Sequence, residues 1–238
     1  MLKTSFPRFQ RFAAARLAPD GTFGLQLSIG VALALLAAWL FGDIARDVVT
    51  GARITVLDLQ LARWFHFHTS AGLTRFMLLL AYWHSIAGTL LMALLIGAWW
   101  RRRGARDWLL ALVVTVPGGL VLNVLLKYVF HRARPHFDDP LLTLPTYSFP
   151  SGHTVAATLV YGLLACYAVR HAQSTRARVA AVVLACAMVA LVGLSRMYLG
   201  VHWLADVLGA AAEGCAWLAV CVTAVSTLRR RRAARSAA

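Results

Sequence analysis

Three short polar clusters interrupt an otherwise apolar chain. The first runs from Lys127 to Pro135 and carries Lys127 and Arg134. The second is Pro150-Ser151-Gly152-His153. The third starts at Ser195-Arg196 and continues to His202 and Asp206. His202 and Asp206 stand at i and i+4, one helical turn apart on one face. A carboxylate placed there can hold one ring nitrogen, fix the tautomer and leave the other nitrogen free as a nucleophile or base. Lys127, Arg134 and Arg196 suit the oxygens of a phosphoryl group, arginine through its planar fork and lysine as a point charge. Lys127 and Arg134 are seven positions apart, two turns on one face if helix persists to Pro135. Pro150-Ser151-Gly152 reads as a turn feeding a helix N-terminus, where free N–H groups and the positive end of the dipole favour an anion. Gly152 lets the backbone approach a ligand closely. Taken singly, each cation could be a snorkelling anchor and each histidine a helix-end residue. Their conjunction is what calls for an anion.

The elements that must position these clusters are membrane spans. Hydrophobic residues make up 60% of the 238 and charged residues only 14%, and mean hydropathy is +0.68. Soluble domains carry about 25% charge, so disorder and an ordinary cytosolic enzyme are excluded. Six apolar stretches, near 24–42, 76–100, 107–130, 152–170, 179–195 and 203–226, are long enough or nearly so to cross a bilayer as helices. The expected fold is therefore all-α: a polytopic bundle of six transmembrane helices. Residues 1–23 form an N-terminal tail, 24–226 the membrane domain, and 227–238 a basic C-terminal tail. Gly118-Gly119 and Gly209 permit close helix approach or bending. The connection 43–75 contains Leu57, Leu61, Trp64 and Phe65 on one helical face, which predicts an interfacial helix.

The net charge is +15. In a soluble chain this would suggest nucleic acid, but here basic loops flank apolar spans. Sixteen of the 24 Lys and Arg fall in alternate connections and the tails, against eight on the other side. That bias predicts cytoplasmic termini and no nucleic-acid partner. Trp99, Trp100, Trp108 and Trp203 lie near span ends, where an aromatic belt is expected. Cys166, Cys186, Cys215 and Cys221 lie in apolar runs without metal-ligand spacing and read as small core residues. His66 and His68 lack a third ligand, so a solvated or headgroup-level role is expected. His84 and Glu213 are ionisable groups within spans and receive no site assignment, although burial makes a functional role the default. With six spans, the three polar clusters all fall at one membrane face, the outer one.

The set KxxxxxxRP (Lys127 to Pro135), PSGH (150–153) and SRxxxxxHxxxD (Ser195 to Asp206) resembles the type 2 phosphatidic acid phosphatase superfamily. That superfamily includes bacterial lipid phosphatases and, more distantly, vanadium-dependent haloperoxidases. The resemblance implies that His202 attacks phosphorus to give a phosphohistidine, with Asp206 orienting it and His153 serving as acid and then base. Lys127, Arg134, Ser151, the Gly152 N–H and Arg196 would hold the phosphoryl oxygens, with Ser195 supporting them. No metal and no cofactor are expected, since three cations stand where a metal would. The implied substrate is a phosphorylated membrane lipid at the periplasmic face of a bacterial inner membrane. Undecaprenyl diphosphate is the leading expectation, with phosphatidylglycerophosphate and phosphatidic acid as alternatives. A lipid phosphotransferase using the same histidine and a non-catalytic lipid transporter are the rival classes.

Overall fold

A computed structural model describes residues 24–236, so the tail expected at 1–23 lies outside the described residues. Within them the chain forms eight helices: α1 (Leu25–Thr50), α2 (Arg53–Phe67), α3 (Ala71–Trp83), α4 (Ile86–Arg102), α5 (Arg106–Phe130), α6 (Gly152–His171), α7 (Thr175–Tyr198) and α8 (Leu204–Ser236). Five of these (α1, α5, α6, α7 and α8) are long and apolar enough to cross a membrane. Taken together, α3 and α4 also pass that test, bent by 58° at their break, which gives up to six spans among the described residues.

That break departs from the continuous helix expected over 76–100. Ser85 caps α4, its Oγ accepting from the Gly88 N–H at 3.3 Å. A side chain at Gly88 would sit 2.0 Å from the Trp83 carbonyl oxygen, so glycine allows the two halves to fold against each other. His84 occupies the joint. Its Nδ1 lies 2.8 Å from the Leu80 carbonyl and its Nε2 2.8 Å from the Tyr161 hydroxyl. Polar groups freed at the bend are thereby satisfied inside the bundle, as apolar surroundings require.

The bundle is organised around α6. Val155, Leu159, Val160 and Leu163 are fully buried there against Leu112 and Val116 of α5 and Trp100 of α4. Small residues set the spacing between helices. A Cβ on Gly118 would lie 2.6 Å from the Trp217 ring, and one on Gly119 2.4 Å from Leu159. Close packing of this kind, rather than water exclusion, holds helices together in lipid. The large apolar side chains left outside, among them Leu35, Trp39, Leu94 and Val113, face where acyl chains would lie.

Other expectations change in detail. Helix α2 is present, but its buried residues are Asp58 and Ala62, while Leu57 and Trp64 are exposed. The stripe is divided: Leu57 and Trp64 face outward, Phe65 packs against Tyr198, and Asp58 and Ala62 face the protein. Trp100 does not join a belt; it is fully buried among Trp99, Trp108 and Tyr167. Of the four cysteines only Cys221 is buried, and Cys186 and Cys215 are exposed on apolar helix faces. Helix α8 continues past residue 226 to Ser236.

Candidate active site

The polar clusters meet at one end of the bundle because of where three helices begin and end. Helix α5 stops at Phe130, and His131 takes a left-handed conformation with φ of 47°. The helix therefore does not persist to Pro135, and Lys127 and Arg134 do not share a helical face. The chain beyond His131 carries no regular structure until α6, and alternate residues of an extended segment point the same way. Arg132 and Arg134 both reach the start of α8, while the Ala133 carbonyl between them accepts from the Trp203 indole at 2.9 Å.

His202 precedes α8 and is almost fully buried. Its Nδ1 lies 3.2 Å from Asp206 Oδ2, and Arg134 Nη1 lies 3.2 Å from its Nε2. Since arginine only donates, these contacts are consistent with a neutral ring carrying its proton on Nδ1 and a lone pair on Nε2. Burial pulls the pKa of His202 down to about 3, with the Asp206 carboxylate opposing the shift. The ring is therefore uncharged at neutral pH.

Asp206 is fully buried and held on several sides. It accepts from Arg132 at 2.7 Å, from the Trp203 N–H at 2.9 Å and from the Ser148 hydroxyl in a short contact. Arg132 in turn donates to Asp58 Oδ2 at 2.6 Å, and Asp58 Oδ1 accepts from the Ala205 N–H at 2.8 Å. Burial raises the pKa of Asp58, while its bonds to Arg132 and Ala205 oppose that rise. Arg132, Asp58 and Ser148 were not among the expected site residues. The only signal available was the position of Arg132, two residues before Arg134 on an outer connection that the charge bias leaves poor in cations.

Of the expected cations, Arg134 is the most anchored. Beyond His202 it donates to the carbonyls of Val201 (2.6 Å), Thr146 (2.6 Å) and Tyr147 (3.0 Å). Lys127 Nζ donates to the carbonyls of Tyr147 (2.7 Å) and Ser148 (3.1 Å). Arg196 differs. It is 1% exposed, yet its Nε and Nη2 have no hydrogen-bond partner among the described residues. A buried guanidinium with unsatisfied donors is costly and is ready for an oxyanion.

Ser151 is the N-cap of α6 and is fully buried. Its backbone N–H donates to the Asp206 carbonyl, and its Oγ accepts from Thr154 at 3.0 Å. Gly152 opens the helix, and a Cβ there would sit 3.2 Å from Asn123 Oδ1. His153 stands in the first turn, partly buried, facing the Ala81 carbonyl and within electrostatic reach of Arg196 and His202. Ser195 is buried but donates back to the Val192 carbonyl of its own helix. Beneath the site, Asn123 donates to Glu213 Oε2 at 3.0 Å and to the Pro150 carbonyl at 3.4 Å. All eight expected site residues thus stand at one end of the bundle. Among the described residues, no group of three or more His, Cys, Asp and Glu is placed to hold a metal ion.

Fold and site together define a polytopic helical membrane protein with a buried imidazole–carboxylate pair set among cations. Residues 107–230 match the family model of the PAP2 superfamily, more than half of the chain, and the protein belongs to that superfamily. It is 37% identical over 127 residues to a curated protein of Bacillus subtilis (strain 168), phosphatidylglycerophosphatase B, covering 44% of this chain and 62% of that protein. The chain thus matches somewhat under two thirds of that relative's length. The crystal structure of a transmembrane PAP2-type phosphatidylglycerolphosphate phosphatase from Bacillus subtilis superposes with a TM-score of 0.72 at 29% identity, covering 80% of this chain and 94% of that one. Aquifex aeolicus LpxE shares the fold, with a TM-score of 0.54 at 23% identity over 70% of this chain and 94% of its own.

Proposed function

We propose that this protein is a membrane lipid phosphatase that cleaves a phosphate monoester through a phosphohistidine, with phosphatidylglycerophosphate as its substrate. The observation that carries the chemistry is His202: a neutral, buried ring with Asp206 behind Nδ1 and a cation beside Nε2. The curated match at 37% identity and the solved structure at 29%, both of Bacillus subtilis, bear names for a phosphatidylglycerophosphate phosphatase. This favours that monoester over undecaprenyl diphosphate, the leading expectation from sequence.

In the first half-reaction, Nε2 displaces the lipid oxygen at phosphorus. The N–P bond forms as the P–O bond breaks, and His153 gives the leaving alkoxide its proton. Arg134 leaves Nε2 and turns to a phosphoryl oxygen. Arg196, Lys127 and the Gly152 N–H take the other oxygens as charge spreads over them. In the second half, water attacks the phosphohistidine, His153 takes its proton, and inorganic phosphate departs. Asp206 balances the transient positive charge on His202. The site would face the periplasm of a bacterial inner membrane, with both termini cytoplasmic, as the distribution of cations favours.

Phosphate release from purified protein, measured on phosphatidylglycerophosphate, phosphatidic acid and undecaprenyl diphosphate, tests this reading. The first should turn over fastest, and His202→Ala and His153→Ala should each lose at least ~10³-fold. Full activity of His202→Ala would refute the nucleophile, and a faster diphosphate would overturn the substrate.

A further inference from the structure

At the other end of the bundle from His202, a cavity of about 760 Å³ opens between α1, α5, α6 and α8. Its volume is within the roughly 300–1,000 Å³ range of small-molecule sites. The walls are apolar, with Leu33, Leu36 and Leu40 from α1 facing Ala111, Leu218 and Val222. Its lining also includes Arg170, Arg229 and Arg230, with Asp107 the lone acidic group among the lining residues. Arg170 lies in the last turn of α6. That helix has 20 residues, so Arg170 sits about 30 Å along it from the Ser151 cap. Arg170 is within electrostatic reach of Arg229, Arg230 and Asp107. Three arginines and one aspartate thus line the polar end of an apolar slot.

We propose that this groove is a binding site for an anionic glycerophospholipid of the leaflet opposite the candidate active site, its phosphate among Arg170, Arg229 and Arg230 and an acyl chain along α1 and α8. Charge complementarity selects this occupant. Basic clusters at a membrane surface attract anionic headgroups by about 1 kcal/mol per cation, and arginine pairs with phosphate through two parallel donors. Residues 1–23 carry four Lys and Arg against one acidic residue, Asp20, so that segment would add net positive charge to an already cationic mouth. A second copy of this strongly basic chain brings the same sign. Ordinary snorkelling would place arginines at this membrane level, but it does not account for a deep apolar slot ending beside them.

Native mass spectrometry of the full chain, released from nanodiscs of equal phosphatidylglycerol and phosphatidylcholine, reads the occupant directly. Wild type should retain one phosphatidylglycerol per chain in preference to phosphatidylcholine. Arg170→Ala and Arg229→Ala should each lower that preference about fivefold, and the groove-filling Ala219→Trp should abolish retention. Arg101→Ala with Arg102→Ala, at the exposed end of α4, should leave it unchanged, as should His202→Ala, which separates this lipid from one held at the active site. Equal retention of the two lipids, or equal loss in the Arg101/Arg102 variant, would overturn the proposal. A photoreactive Leu36→benzoylphenylalanine substitution should yield a phospholipid adduct. An adduct to residues 1–23 or to a second chain would assign the groove to that occupant instead.

Discussion

Arg132 links Asp206 to a second buried carboxylate, Asp58. One guanidinium nitrogen lies 2.7 Å from Asp206 and the other 2.6 Å from Asp58 on α2. The carboxylate behind the candidate nucleophile is therefore tied, through one side chain, to a helix outside the motif-bearing region. Both acids are almost fully buried, and breaking such a pair leaves an uncompensated charge costing about 3–5 kcal/mol.

The first prediction follows from that bridge. Arg132→Ala should lower the thermal midpoint and reduce kcat at least ~10-fold with a smaller change in KM, because Asp206 loses its counter-charge while the phosphate cradle keeps its cations. Arg132→Lys should rescue little, since a single ammonium cannot span both carboxylates. Asp58→Asn should give an intermediate loss. Steady-state kinetics with a melting curve on each variant checks the set, and wild-type kcat in Arg132→Ala would remove Arg132 from the positioning of Asp206.

Arg196 predicts an opposite signature. Its Nε and Nη2 are buried without partners, so the ligand-free protein carries a desolvated cation that only an anion relieves. Arg196→Met should leave the ligand-free midpoint unchanged or raise it, while removing the stabilisation that inorganic phosphate gives wild type. Catalysis should fall at least ~10²-fold, the usual cost of losing one donor to developing charge. Melting curves with and without phosphate separate this from a structural role, for which the ligand-free midpoint would drop.

Much of this centre was readable from residue types and spacing, because KxxxxxxRP, PSGH and SRxxxxxHxxxD each mark a helix end, and the order of the spans α5 to α8 brings those ends together. Arg134, Arg196, His153 and His202 needed only that topology. Asp58 was hidden because its role depends on packing: an acid in a 15-residue amphipathic stretch looks solvated until α2 turns that face toward α8. The break at His84 was equally silent, since a bend follows from the Ser85 cap and the Gly88 contact rather than from hydropathy. Helix α5 ends at Phe130, as the apolar stretch 107–130 predicts, so the conditional alignment of Lys127 with Arg134 over a helix reaching Pro135 is not realised. Nothing local announces a left-handed His131, whose N–H donates to the Lys127 carbonyl at 3.1 Å.

The third prediction concerns pH. His202 titrates near 3 in the folded protein because it is buried, against an ordinary value of about 6.5. The unfolded chain therefore takes up this proton first as pH falls. The associated stability is fully present above about 6.5 and is lost progressively toward 3. The thermal midpoint of wild type should decline between pH 7 and pH 4, and less steeply in His202→Gln. The proposed nucleophile stays uncharged over most of that interval, so an acid loss of kcat/KM would point to another group. Parallel midpoint curves for the two proteins would contradict the burial-driven shift.

The last prediction concerns the Asn123–Glu213 pair. Asn123 Nδ2 bonds Glu213 Oε2 at 3.0 Å and the Pro150 carbonyl at 3.4 Å, and its Oδ1 crowds the space beside Gly152. Glu213 Oε1 is buried without a partner among the described residues, so the second oxygen contributes no bond. An amide in its place retains an acceptor for Asn123 and the same shape. Glu213→Gln should therefore keep activity within about threefold and leave the melting temperature close to wild type. Glu213→Leu leaves Asn123 without that acceptor, at about 1–3 kcal/mol for a buried unsatisfied group, and lets the Pro150-Ser151-Gly152 turn shift. Its expected signature is a raised KM for the lipid with a smaller fall in kcat, because in the proposed mechanism the turn holds phosphoryl oxygens while His202 and Asp206 are anchored elsewhere. A kcat collapse in Glu213→Gln with unchanged KM would instead make the Glu213 carboxyl part of the proton chemistry.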